Sequence, residues 1–67
     1  MKKGYNAPSV GKAFDILKSI SLSKKGLGLN EIARGLQIAK STAHGITMAL
    51  EEQGALIRDP ISKKFRL

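Results

Sequence analysis

The chain has no cysteine. No disulfide and no thiolate metal site can brace it, a usage that fits a reducing compartment. It has one histidine, and no Asp, Glu and His fall at the spacing of a ligand set or an acid–base dyad. Glu51 and Glu52 are adjacent, so on a helix they do not face each other. Gly26-Leu-Gly28 is too slight for a phosphate-binding loop. No cofactor and no metal are expected, and the chain is not expected to be an enzyme. Long apolar runs are missing too. None approaches the roughly 18 residues of a membrane span. Lys2 and Lys3 are followed by Gly4, Asn6, Pro8 and Ser9, not by the apolar run of a signal peptide. No membrane partner is expected, and the expected location is the cytoplasm.

Acid is scarce. Five Asp and Glu stand against twelve Lys and Arg, for a net charge of +7 in 67 residues. The excess is spread along the chain: six basic and two acidic groups in residues 1–33, six and three in residues 34–67. A sequence pI near 10.2 in one small domain points to a nucleic-acid partner. A solubilising surface, or affinity for an anionic membrane, are the alternatives that charge alone leaves open. A chain this short buries only about 60% of its unfolded surface. Helix packing, with or without a partner subunit, must supply its stability.

The expected order is helix, helix, helix, hairpin, in one domain over 9–67 after an N-terminal arm of residues 1–8. Ser9 is placed to cap helix 1. Val10, Ala13, Phe14, Leu17 and Ile20 then recur at the spacing of one helical face. Ile16 falls outside that stripe, as an edge-of-core residue or a contact with another subunit. Residues 21–28, rich in Ser, Lys and Gly, read as a break. Helix 2 follows, with Gly28 as N-cap and Glu31 reaching back to it. Ile32, Ala33 and Leu36 face inward. Gln37 and Ile38 form a turn. Helix 3 runs from 40 to about 53 with Ala43, Ile46, Thr47 and Leu50 inside, and Gly54 ends it. The period then changes to two. Strands are expected at 55–58 and 64–67, the second with Phe65 and Leu67 on one face and Lys64 and Arg66 on the other. Residues 59–63 connect them from an Asp-Pro turn start, with no glycine at the tip.

A major groove is about 12 Å wide and admits one helix. The helix that enters should begin with small hydrogen-bonding groups and carry no acid there. Helix 3 fits. It turns Lys40, Ser41, Thr42, His44, Gly45 and Met48 to solvent or groove, and keeps Glu51 and Glu52 at its far end. Its N-terminal half-charge favours nearby phosphate. Lys40 is a candidate phosphate contact. Ser41 and Thr42 can bond phosphate or a base edge, or cap the helix. His44 can reach a base edge or phosphate, or stay inert. Arg58, Lys63, Lys64 and Arg66 make the hairpin a basic wing, able to lie along the backbone or enter the minor groove. Basic edge strands also discourage aggregation. Lys24 and Lys25 form a third basic spot, simplest as a solvated loop. The expected fold is mostly α with a small β-hairpin, a winged helix-turn-helix of three helices plus wing. The expected function is sequence-specific binding of double-stranded DNA by a transcription regulator. A protein-docking winged helix, suggested by Gly45 and Met48 on the groove face, is the alternative from another class. Non-specific nucleic-acid binding is the third.

These residues carry a resemblance. Ser9-Val-Gly-Lys-Ala-Phe-Asp-Ile-Leu17, Leu29-Asn-Glu-Ile-Ala33, Ile38-Ala-Lys-Ser-Thr-Ala-His44, Leu50-Glu-Glu-Gln-Gly54, Arg58-Asp-Pro60 and Lys64-Phe-Arg-Leu67 occur in order. Together the chain resembles the DNA-binding domain of the IclR family of bacterial transcription regulators. The resemblance implies a homodimer, here through helix 1, on a roughly palindromic operator. It also implies a C-terminal domain that senses small molecules and is absent from this chain. That makes the chain a fragment or a stand-alone module, and its stop on the last wing strand favours the fragment. Three residues depart from the family pattern. Gly45 stands where the family usually has Arg after His, which removes a phosphate or base contact and costs about 1 kcal/mol of helix stability against Ala. Ala39 replaces the usual helix-starting proline, and Gln37 the usual turn glycine.

Overall fold

The computed structural model describes residues 8–67. The expected arm lies outside the described residues except for Pro8, which begins helix α1 (Pro8–Ser21). Proline suits a first helical turn, where its missing N–H has no helical partner to lose. Ser9, expected as the cap, is therefore inside the helix.

The phase of α1 corrects the sequence reading. Ile16 and Ile20 are fully buried, while Val10 and Phe14 are 54% and 61% exposed. Ala13 and Leu17 are half-buried. The cause is an overlap. Val10, Ala13, Phe14 and Leu17 satisfy the i, i+3, i+4, i+7 spacing, and so do Ala13, Ile16, Leu17 and Ile20. At about 100° per residue the two stripes are offset sideways. The core takes the second and leaves the first at the surface.

Helix α2 (Leu29–Leu36) starts as expected. Gly28 N–H donates to Glu31 Oε1 at 2.7 Å. At its other end Gln37 adopts φ +57°. Its N–H donates to the Arg34 carbonyl at 3.3 Å, and Ile38 N–H to the Ala33 carbonyl at 3.0 Å. These paired bonds close the helix in the manner of a C-terminal glycine. Glutamine in this left-handed conformation carries a cost of about 1 kcal/mol or more. The tight turn survives without its glycine.

Helix α3 (Lys40–Glu52) follows, with Ala39 at the N-cap and no side-chain cap bond. Ser41 and Thr42 lie inside the helix and so do not cap it. Ala43 and Thr47 are buried, and Ile46 and Leu50 half-buried. The buried Thr47 hydroxyl donates to the Ala43 carbonyl at 2.9 Å. Gly54 ends the helix at φ +82°. Its N–H donates to Glu51 O at 3.0 Å and Ala55 N–H to Leu50 O at 2.9 Å.

The hairpin is shorter than expected: β1 (Ile57–Arg58) and β2 (Phe65–Arg66). They are antiparallel, with Ile57 opposite Arg66 and Arg58 opposite Phe65. Phe65 is buried, but Leu67 is 55% exposed, because it lies beyond the paired register. The break before α2 is also more than a loop. Leu27 forms an antiparallel bridge to Phe65. Leu27 N–H donates to Phe65 O at 3.0 Å, and Phe65 N–H to Leu27 O at 2.7 Å. Gly26 allows this approach: at φ +83°, a Cβ there would sit 2.6 Å from the Phe65 carbonyl oxygen.

Ile16, Ile20, Ile32, Ala33, Ala43, Leu56 and Phe65 form the core, so every helix and the wing base meet there. Three helices plus a two-stranded antiparallel hairpin make the winged helix-turn-helix that the sequence leads one to expect. Among the described residues no helix is long and apolar enough to cross a membrane.

Candidate nucleic-acid interface

Lys40, His44 and Met48 are four residues apart on α3. That spacing makes a ridge along one helical face. The hairpin is tied down by the Leu27–Phe65 bridge and stands beside this ridge. Between them lies a groove of about 430 Å³, lined by Lys40, His44 and Met48 from α3, by Arg58, Ser62, Lys63, Lys64 and Phe65 from the wing, and by Gly28, Leu29, Asn30, Glu31 and Arg34 at α2. Five Lys and Arg thus face one carboxylate. That carboxylate accepts the Gly28 N–H through one oxygen and keeps its charge, so the groove has a cationic excess of four. Cations on several walls of one cleft add their fields, so the groove suits a polyanion.

The wing end of the groove is closed by its own contacts. The Arg58 guanidinium stands 5.7 Å from the Phe65 ring centroid, a cation–π distance. Asp59 N–H donates to Lys64 O at 2.9 Å, and Lys63 N–H to Asp59 O at 2.8 Å. Ser62 N–H donates to Asp59 Oδ2 at 2.7 Å. Hydrogen bonding from Ser62, side chain first and backbone second, holds the Asp59 carboxyl below its ordinary value of 3.8. Lys63 takes φ +66°, which finishes the turn where glycine would be usual.

The sequence-derived candidates divide. Lys40, His44, Arg58, Lys63 and Lys64 line the groove together. Ser41, Thr42 and Arg66 are exposed outside it. Gly45 lies along a second, apolar groove of about 290 Å³, with Ser9, Val10, Ala13, Ile46, Ala49, Leu50 and Gln53. A Cβ on Gly45 would meet nothing within 4 Å. Sequence reasoning missed Asn30 and Arg34. Their signal was the i, i+4 spacing on α2, on the side away from buried Ile32 and Ala33. Among the described residues no group of three or more His, Cys, Asp and Glu could hold a metal ion.

Comparison with known proteins gives a family. The model of the IclR helix-turn-helix domain matches residues 9–60. Two curated relatives, each named glycerol operon regulatory protein, come from Streptomyces coelicolor and Streptomyces griseus. Each is 36% identical over 62 residues, which is 92% of this chain and 24% of the relative. The chain therefore spans about a quarter of the length of these relatives. No solved structure matches. With the winged fold and the matched residues in agreement, the chain belongs to the IclR family, as the helix-turn-helix DNA-binding domain of a transcription regulator.

Proposed function

We propose that the chain binds double-stranded DNA sequence-specifically, with α3 in the major groove and the wing on the adjoining backbone or minor groove. The observation that carries this is the cationic groove between the Lys40–His44 ridge and Arg58, Lys63 and Lys64. A sugar-phosphate strand separates the major from the minor groove. A cleft with cations on both walls can take that strand while α3 and the wing reach to either side of it. Lys40, Arg34, Arg58, Lys63 and Lys64 are then phosphate contacts. Ser41, Thr42 and His44 carry base contacts. Arg66, outside the groove, adds a further backbone contact. At position 45 the bare backbone allows close approach but reads nothing.

The proposed active form is a homodimer through α1 on a roughly palindromic site, since operator symmetry mirrors protein symmetry. Exposed Val10 and Phe14, with the apolar groove beside Ala13 and Ile46, support that contact. The relatives are named for regulation of an operon, and transcription control in the cytoplasm, coupled to a sensory domain outside this chain, is the proposed setting. The test is selection from a random duplex pool, followed by competition with scrambled duplex. Enriched half-sites related by two-fold symmetry are expected. His44→Ala or Thr42→Ala should alter preference at particular base pairs, by about 1–3 kcal/mol each. A pool that never enriches would leave only non-specific binding. Tight binding to a protein with no duplex binding at low salt would favour the docking alternative.

A further inference from the structure

We infer that Ile61 is a wedge, which enters a base step of the minor groove and partly unstacks it when the cationic groove holds the neighbouring phosphate strand. The inference rests on the DNA-binding role just proposed. Ile61 is 90% exposed, more than any other large apolar side chain among the described residues. It stands at a turn tip, where Gly, Asn, Asp and Ser usually serve. At that exposure it adds almost nothing to the core. A β-branched apolar side chain held there gains free energy only against an apolar surface, and the faces of stacked bases are one.

The surroundings favour this occupant over others. Pro60 fixes its own φ. Asp59 accepts the N–H groups of Ser62 and Lys63, and Lys64 N–H donates to Ser62 Oγ at 3.2 Å. The tip is therefore ordered before binding, and inserting it costs little additional entropy. The two residues after Ile61, Ser62 and Lys63, line the cationic groove, whereas Ile61 does not. Ile61 thus lies past the rim of the groove. With a phosphate strand in the groove and α3 in the major groove, the far side of that strand is the minor groove. A cation-flanked tip is drawn to that groove's negative potential, which a protein-docking surface would not require. Apolar wedges of this type kink the duplex toward the major groove. The easiest steps to open are TA and CA/TG. Ile61 would then be a specificity-determining residue that forms no hydrogen bond to any base. That matters for a recognition helix in which position 45 supplies no side chain to read a base.

The test uses the chain with two short A·T-rich duplexes at low salt. One carries 2-aminopurine beside a single TA step, and the other has the same composition as an uninterrupted A-tract. On saturation, 2-aminopurine emission should rise in the first. End-to-end energy transfer should report a bend in the range of about 20–90°. Ile61→Ser should bind more weakly through the cationic groove and, brought to saturation, should lose both signals. Ile61→Phe should restore or enlarge them. Circular dichroism checks folding, which substitution of an exposed tip residue leaves intact. Binding without a rise in emission, or the same rise from Ile61→Ser, overturns the wedge and leaves DNA binding standing. No saturable binding of either duplex overturns both.

Discussion

Gly26→Ala should damage this protein more than the same change at any other described glycine. The new Cβ would lie 2.6 Å from the Phe65 carbonyl oxygen, at a residue with φ +83°. An L side chain in that left-handed region costs about 1–2 kcal/mol. Relief of the contact then requires Phe65 or the 26–27 backbone to move. Either movement opens the two Leu27–Phe65 hydrogen bonds of 3.0 and 2.7 Å, each with a net contribution of about 0.5–1.5 kcal/mol. The sum is roughly 2–5 kcal/mol. A domain of this size has only about 3–10 kcal/mol in total. Thermal unfolding followed by circular dichroism should show Tm falling by roughly 10–30 °C. Duplex binding by the fraction still folded should weaken as well, because Phe65 anchors the wing that forms one wall of the groove. A Gly26→Ala chain with Tm within a few degrees of the parent would refute the bridge as described, and with it the fixed position of the wing.

The same geometry sets the response at four other positions. Gly45→Ala has open space for its methyl, so unfolding in urea should show a gain of about 0.5–1 kcal/mol. Gly45→Arg, which restores the residue usual in the family, should also tighten duplex binding in a gel-shift titration. Ile16→Ala should cost about 2–5 kcal/mol. By contrast Phe14→Ser should leave the monomer within about 0.5 kcal/mol and shift sedimentation toward monomer if α1 forms the dimer contact. Asp59, with its carboxyl pKa depressed by Ser62, contributes wing order that is fully present above its ordinary value of 3.8. That order is lost as pH falls through the lower folded value. The Ser62 amide resonance should move over that acidic window and not above it, and Asp59→Asn should remove the transition.

Local signals carried most of the fold. The Gly28–Glu31 start of α2, the inner stripe of α3 and the Gly54 stop all depend on residues within one or two turns of each other, and each appears where its spacing placed it. The phase of α1 was not legible, because two apolar stripes satisfy the same spacing and only packing against Ile32, Ala43 and Phe65 selects between them. The Leu27 bridge was also hidden. Its partner, Phe65, is far along the chain, and one residue of pairing leaves no alternation to detect. At the site, basic residue types were easy to find but their convergence was not. The sequence grouped Lys40 to Gly45 as one surface. Helical spacing splits them, with Lys40 and His44 facing the wing and Gly45 facing the apolar groove. Arg34 joins the first group only because the turn at Gln37 folds α2 against α3.

The dependence of duplex affinity on salt tests the central claim most directly. Five Lys and Arg line the groove. If each of these and Arg66 meets a phosphate, the logarithm of the association constant should fall with the logarithm of salt at a slope near −5.4 per protomer, about −0.9 for each of the six contacts. Lys40→Ala and Lys64→Ala, from opposite walls, should each make the slope shallower by about 1 on every sequence. A flat salt response, or unchanged slopes in both variants, would contradict the account of this groove as the seat of a DNA strand.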